Sequence, residues 1–374
     1  MTVSNNPRIE EFARILVERA AEIEEGDNVY LLGKSLEGLE LFRAVRRLVI
    51  KKGAYPHEHL LYDSQIGSEG LDHDWVKYGS REQMENVSEA KMKEMKEMDA
   101  YIRIGGDDNK MDLSGLDPEK ISERKKASKE ILNERLEKRW VATRFPTPGM
   151  AQDAGMPTEK FREFVLKAIT EVDWEELERK NQEIKELFDS TDTVRIVDGD
   201  TDVEFSIEGR EGVASNGNRN LPDGEVFYAP IKDSLEGKIK FTYPGLVEGD
   251  EVPGIELRFE DGRIVEYTAE KNEELLERII ETDEGSHYIG EFGIGTNRMI
   301  DRYVGDTLFD EKIGGTIHMA IGKAYELCVS EDDPRERNES GIHWDIVKDL
   351  RPRHGGGKVI ADGETVQKNG DWVF

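Results

Sequence analysis

The sequence has a single cysteine, Cys328, in 374 residues. That excludes an internal disulfide framework and any cysteine-rich zinc module, and it accords with a reducing compartment. No stretch approaches the roughly 18 consecutive apolar residues of a membrane span. Met1–Arg19 carries charges within its first apolar region, so it does not read as a secretory signal. Positive charge is in deficit: 52 Lys and Arg stand against 81 Asp and Glu, a formal net charge of −29. A surface this negative repels phosphate backbones and anionic lipid, so neither a nucleic-acid partner nor a membrane is expected. The acid is spread along the chain rather than blocked. That pattern reads as a solvated, self-repelling surface, suited to a salty cytoplasm that screens the repulsion. Recruitment of cations or basic peptides is the alternative. The expectation is a soluble cytoplasmic protein of halophilic composition.

The length suggests two or three domains, enough to bury a core without covalent staples. Ile9, Phe12, Ala13, Leu16, Ala20 and Ile23 recur at helical spacing before Gly26, which is placed to end the helix. Strands are predicted at residues 28–32, 58–62, 100–104 and 140–145, with helices at 39–49, 81–98 and 119–139 between them. Strand and helix in alternation imply a doubly wound, mostly parallel sheet. After a charged helix over 173–187 the texture changes to short strands. Asp261-Gly262, Asp362-Gly363 and Asn369-Gly370 mark hairpins among them. The fold class is therefore α/β: an N-terminal α/β domain over residues 1–190, then an α+β domain over 191–374.

Histidine is scarce, seven in all. In Thr316–Ile321 the apolar Ile317, Met319 and Ile321 share one face of a strand, so His318 points to the other. In Ile342–Ile346, Ile342, Trp344 and Ile346 share a face, and His343 and Asp345 share the opposite one. A His-x-Asp pair on one strand face offers an imidazole nitrogen and a carboxylate to one point, a donor mix that divalent metals accept. The same pair also reads as a plain hydrogen-bonded surface feature. Glu225 and Glu291 are single carboxylates in glycine-rich, largely apolar sequence, where a buried acid needs a cation partner.

Other signals lack their complements. His354-Gly355-Gly356-Gly357 imitates an oxyanion loop, but there is no Gly-x-Ser-x-Gly elbow. Gly33-Lys34-Ser35 has Asn28 where a phosphate loop needs glycine, and Gly293-Ile294-Gly295 lacks the third glycine of a dinucleotide fingerprint. His57-Glu58-His59 reads as a surface strand.

Four segments carry a family likeness: Asn220–Pro230, Gly290–Asn297, Asp310–Gly322 and Asn338–Val347. Together, in this order, they resemble the thermophilic aminopeptidase family of two-metal exopeptidases, the aminopeptidase T and aminopeptidase S group. The likeness runs end to end and extends to Trp140, Arg144–Pro148 and Met150–Gln152. It departs at His287, where a basic residue is expected, and at the His354–Gly357 stretch.

The resemblance implies that Glu225, Glu291, His318, His343 and Asp345 are metal ligands in a catalytic C-terminal domain. It places the active-site tyrosine at Tyr325. It implies two divalent ions, cobalt or zinc first and manganese or magnesium as alternatives, that activate water against a peptide bond. Glu291 is a further candidate, as the group that shuttles a proton to the leaving amine. Peptides with a free N-terminus are the expected substrates, and a homodimer the expected form. Another two-metal amide or ester hydrolase, or a metal-stabilised binding protein without catalysis, are the alternatives.

Overall fold

A computed structural model describes residues 6–61, 72–106, 109–247, 249–330, 333, 335 and 337–374. The chain forms two compact units, Met1–Glu171 with Gly217–Pro222, and Val172–Asn216 with Asp223–Phe374. The composition-based boundary at residue 190 lies one helix later, after Trp174–Asp189.

In the first unit, Asn28–Gly33 carries an unbroken apolar run, the signature of a strand covered on both faces. It sits inside a five-stranded sheet in the order Tyr55–Leu60, Asn28–Gly33, Ala100–Gly105, Arg139–Arg144, Asn220–Leu221. Every neighbouring pair is parallel. The second predicted strand begins earlier than expected, at Tyr55, and Tyr62 lies outside the described residues.

Three predicted helices are interrupted. The first is α-helical over Pro7–Arg14 and widens to a π-helix over Ile15–Ala20, where the Ala21 amide reaches back to the Leu16 carbonyl. The helix expected over 81–98 is two helices, Arg81–Glu85 and Glu89–Glu97. Asn86, Val87 and Ser88 are poor helix formers, and Ser88 takes the extended backbone of a cap. The helix expected over 119–139 breaks at Ser128 into Pro118–Ala127 and Lys129–Leu136.

The second unit holds a two-stranded ribbon of Gly245–Val247 and Asp250–Val252, and two large antiparallel sheets that share a core. One has eight strands, and all three Asx-Gly hairpins lie in it as predicted. The other has five, in the order His343–Asp349, Thr316–Gly322, Ile289–Gly295, Glu225–Tyr228, Val213–Ser215. Alternation sets what each face of the smaller sheet does. Val226, Phe292, Ile294, Ile317, Met319, Ile321, Trp344 and Ile346 join Val194, Ile196, Val203 and Phe205 of the larger sheet in one buried cluster. Phe205 meets Phe292 edge to face at 5.0 Å. The opposite face of the small sheet is left for polar side chains. Among the described residues, no helix is long and apolar enough to cross a membrane.

Candidate metal centre

The polar face of the small sheet gathers all five candidate ligands. Register puts Glu225 opposite Gly295, Glu291 opposite Ala320, and Ala320 opposite Asp345, with Gly322 opposite His343. A bulge between Ile289 and Glu291 re-aims the Glu291 carboxylate. Small residues make the room. Gly293 lies beneath the His318 imidazole, and a Cβ there would come within 2.0 Å of Nε2.

The connecting loops are tied to one another through the four sequence segments. The Asn297 side chain donates to the Asp223 carbonyl at 2.8 Å, and the Thr296 amide donates to the Gly224 carbonyl at 2.9 Å. The Asn297 amide donates to the Lys312 carbonyl, which fixes the turn before the His318 strand. Asn338 donates to the carbonyls of Gly285 and Gly322. Asp283 accepts from Ser340 and from the Gly341 amide, clamping the run that leads into His343.

Two groups of three side chains bring their donor atoms within 4.8 Å of one another: Glu225, Glu311 and His318, and Glu291, His343 and Asp345. Glu291 faces both groups. Its Oε1 lies 3.1 Å from His318 Nε2, and its Oε2 lies 3.7 Å from His343 Nε2. His343 Nε2 is 3.5 Å from Asp345 Oδ1, while its Nδ1 sits 2.7 Å from the Lys323 carbonyl. A proton held at Nδ1 by that carbonyl leaves Nε2 free to act as a donor to a metal.

Glu311 and Lys312 lie in the Asp310–Gly322 segment, but nothing in their own pattern marks them as site residues. In so acidic a chain, an acid beside a lysine reads as surface. Yet Lys312 is buried, with Nζ 3.1 Å from Glu225 Oε1 and 3.0 Å from Glu311 Oε2. It occupies one oxygen of Glu225 and leaves the other turned inward.

His318 is fully buried, and Glu291 is 4% exposed. Glu225 Oε2, Glu291 Oε2 and Asp345 Oδ1 are buried with no hydrogen-bond partner. Three orphaned carboxylate oxygens beside imidazole nitrogens fit divalent cations, since burial without a partner is costly. Burial pushes His318 down, but Glu291 and Glu225 outweigh it and hold its pKa at about 9. Likewise burial lowers His343, and Asp345 with Glu291 raises it to about 10. Burial raises Glu311 to about 8. Burial also raises Glu291.

These groups all bind protons more tightly folded than unfolded. They add stability below their unfolded pKa values and lose it as pH rises through the folded ones. The chelated protein is therefore expected to melt at steadily lower temperature from about pH 5 to pH 10. The fall should be shallower in His343→Gln. Saturating divalent ion should reverse the trend, because metal competes with those protons. Calorimetry across that range tests this. A melting temperature that is flat or rising in chelator would contradict it.

Tyr325 follows the His318 strand. Its ring lies against His343 at 4.7 Å and Phe227 at 5.7 Å between centroids. At 43% exposure it is not a core residue. Burial, then the charges of Glu291 and Asp345, raises its pKa, so the phenol keeps its proton.

None of the remaining sequence signals belongs to either group. His59 stacks on Tyr30 at 4.2 Å and sits 3.0 Å from Glu94. Ser35 Oγ accepts from the Gly38 amide at 3.2 Å, closing a strand-to-helix turn. His354 packs on Tyr243, and His287 lies 4.0 Å from Glu281.

The chain matches the family described as thermophilic metalloprotease (M29) over residues 5–372. It is 30% identical to Aminopeptidase T of Thermus aquaticus, over 74% of this chain and 76% of that one. A match to Aminopeptidase AmpS of Bacillus subtilis is 36% identical but spans 41% of this chain and 40% of the relative. The solved structure of wild-type AmpT from Thermus thermophilus superposes with a TM-score of 0.82. It is 25% identical and covers 98% of this chain and 99% of that one.

Proposed function

This chain belongs to the thermophilic metalloprotease (M29) family, and from that premise we propose that it is a metal-dependent aminopeptidase releasing the N-terminal residue of unblocked peptides. The observation that carries this is Glu291, whose two oxygens face two separate donor groups. Glu225, His318 and Glu311 would hold one divalent ion and His343 with Asp345 the other, with Glu291 shared. Cobalt or zinc suits the donor set best, with manganese or magnesium as alternatives. When bound, such a pair makes water nucleophilic near neutral pH and polarises the scissile carbonyl.

The chain's own groups do the rest. Lys312 holds Glu225 in place through one oxygen. Tyr325 presents a phenolic proton to the oxyanion that develops on the carbonyl. Glu291 is also suited to carry a proton to the leaving amine.

Purified protein loaded with each metal should release free amino acid from a peptide but not from its N-acetylated twin, and exhaustive chelation should abolish release. Cleavage of the acetylated peptide would instead favour a different amide hydrolase, and metal binding without any hydrolysis a binding protein. Cytoplasmic location, a homodimer and a halophilic setting belong to the same reading. A melting temperature that rises with potassium chloride, and a dimer by light scattering at full turnover, are the expected results. The salt effect follows from screening of −29 formal charges.

A further inference from the structure

The first unit contains a cavity of about 640 Å³, within the roughly 300–1,000 Å³ range of small-molecule sites. All its lining residues belong to that unit, and none is a candidate metal ligand. Among the described residues its lining is basic, opposite in sign to the protein as a whole: acids number 81 of 374 residues, yet no described lining residue is one, and Arg124, Lys125 and Arg135 border it together with Lys91 and Arg103.

The local fold explains how the cations come together. Tyr101 and Arg103 share a face of the Ala100–Gly105 strand by period-two alternation. Arg124 and Lys125 come from the Pro118–Ala127 helix, and Arg135 from Lys129–Leu136. The walls are aromatic. The Arg124 guanidinium lies 5.3 Å from the Trp75 ring centroid, and that of Arg135 lies 5.2 Å from Tyr101. Arg124 donates to the Asn86 carbonyl at 2.8 Å, but its Nε and that of Arg135 are buried without a hydrogen-bond partner. Burial lowers the Arg124 pKa, the direction expected of a guanidinium short of counter-charge.

We infer that this cavity binds a small organic anion with a flat apolar body and a terminal phosphate or carboxylate. Guanidinium groups pair with either anion in the same forked geometry, and their faces stack on rings. An amino acid or unblocked peptide would bring an ammonium towards the guanidinium groups of Arg124 and Arg135 and the ammonium of Lys125. The cavity is therefore a different kind of site from that of the peptides proposed above, and its ligand carries no ammonium group.

The test is isothermal titration of the full-length, metal-loaded protein with adenosine 5′-monophosphate and with indole-3-acetate. Their neutral parents, adenosine and indole, serve as controls. At least one anion should bind saturably, and the arm that does so identifies the terminal group. Arg124→Met and Lys125→Glu should each weaken it tenfold or more, with peptide hydrolysis unchanged. Lys125 is exposed, so its variant reports on charge without disturbing the core. No saturable binding of either anion, equal binding of the neutral parents, or indifference to Lys125→Glu would overturn the inference.

Discussion

Turnover of Glu291→Gln is expected to fall by more than about 10³-fold, beyond the usual cost of losing one oxyanion donor. The ground is placement. Glu291 sends one oxygen to His318 and the other to His343, so both donor groups depend on it. The amide keeps the volume but loses the charge, and one of its two ends becomes a donor facing an imidazole nitrogen. Metal content should drop with turnover, from two ions per chain towards one or none. Asp345→Asn should be milder in metal content, since Asp345 belongs to one group only. Metal analysis beside kcat separates the cases. A Glu291→Gln enzyme with two ions and near-normal kcat would remove the shared carboxylate from the mechanism.

Tyr325→Phe is expected to lower kcat by roughly 10²–10³ with metal content unchanged. The ring's contacts with His343 and Phe227 survive the substitution, so only the hydroxyl is lost. An interaction made mainly in the transition state shows in kcat and leaves KM nearly alone. Burial and nearby carboxylates keep the phenol protonated, so the donor should persist into alkaline solution. If Tyr325 only packs against its neighbours, the phenylalanine variant would retain near wild-type kcat with normal metal, and the oxyanion role would fall.

Much of this site is legible because a strand repeats every two residues. Ile317, Met319 and Ile321 had to share one face, and that alone turned His318 away from the core. The same logic paired His343 with Asp345. Glu225 and Glu291 stood out by their apolar, glycine-rich settings. What stayed hidden depends on distance rather than pattern. Glu311 and Lys312 look like a solvated pair until folding brings Lys312 against Glu225. Gly293 resembles a fragment of a nucleotide motif until the imidazole is seen over it. The helices were harder to bound than the strands. Long charged runs such as 81–98 and 119–139 keep a helical composition through a break at Ser88 or Ser128, and neither serine makes a side-chain capping bond that would mark it.

The Thr316–Gly322 strand presents core on one face and chemistry on the other, with no spare face. Its side chains therefore behave like text read in a frame of two. Inserting one residue would carry Ile317 and Met319 to the face of the candidate ligands and His318 into the apolar cluster, while inserting two would restore the frame at the cost of a shift along the sheet. An insertion scan across the strand would show it as loss of activity at one residue and partial return at two.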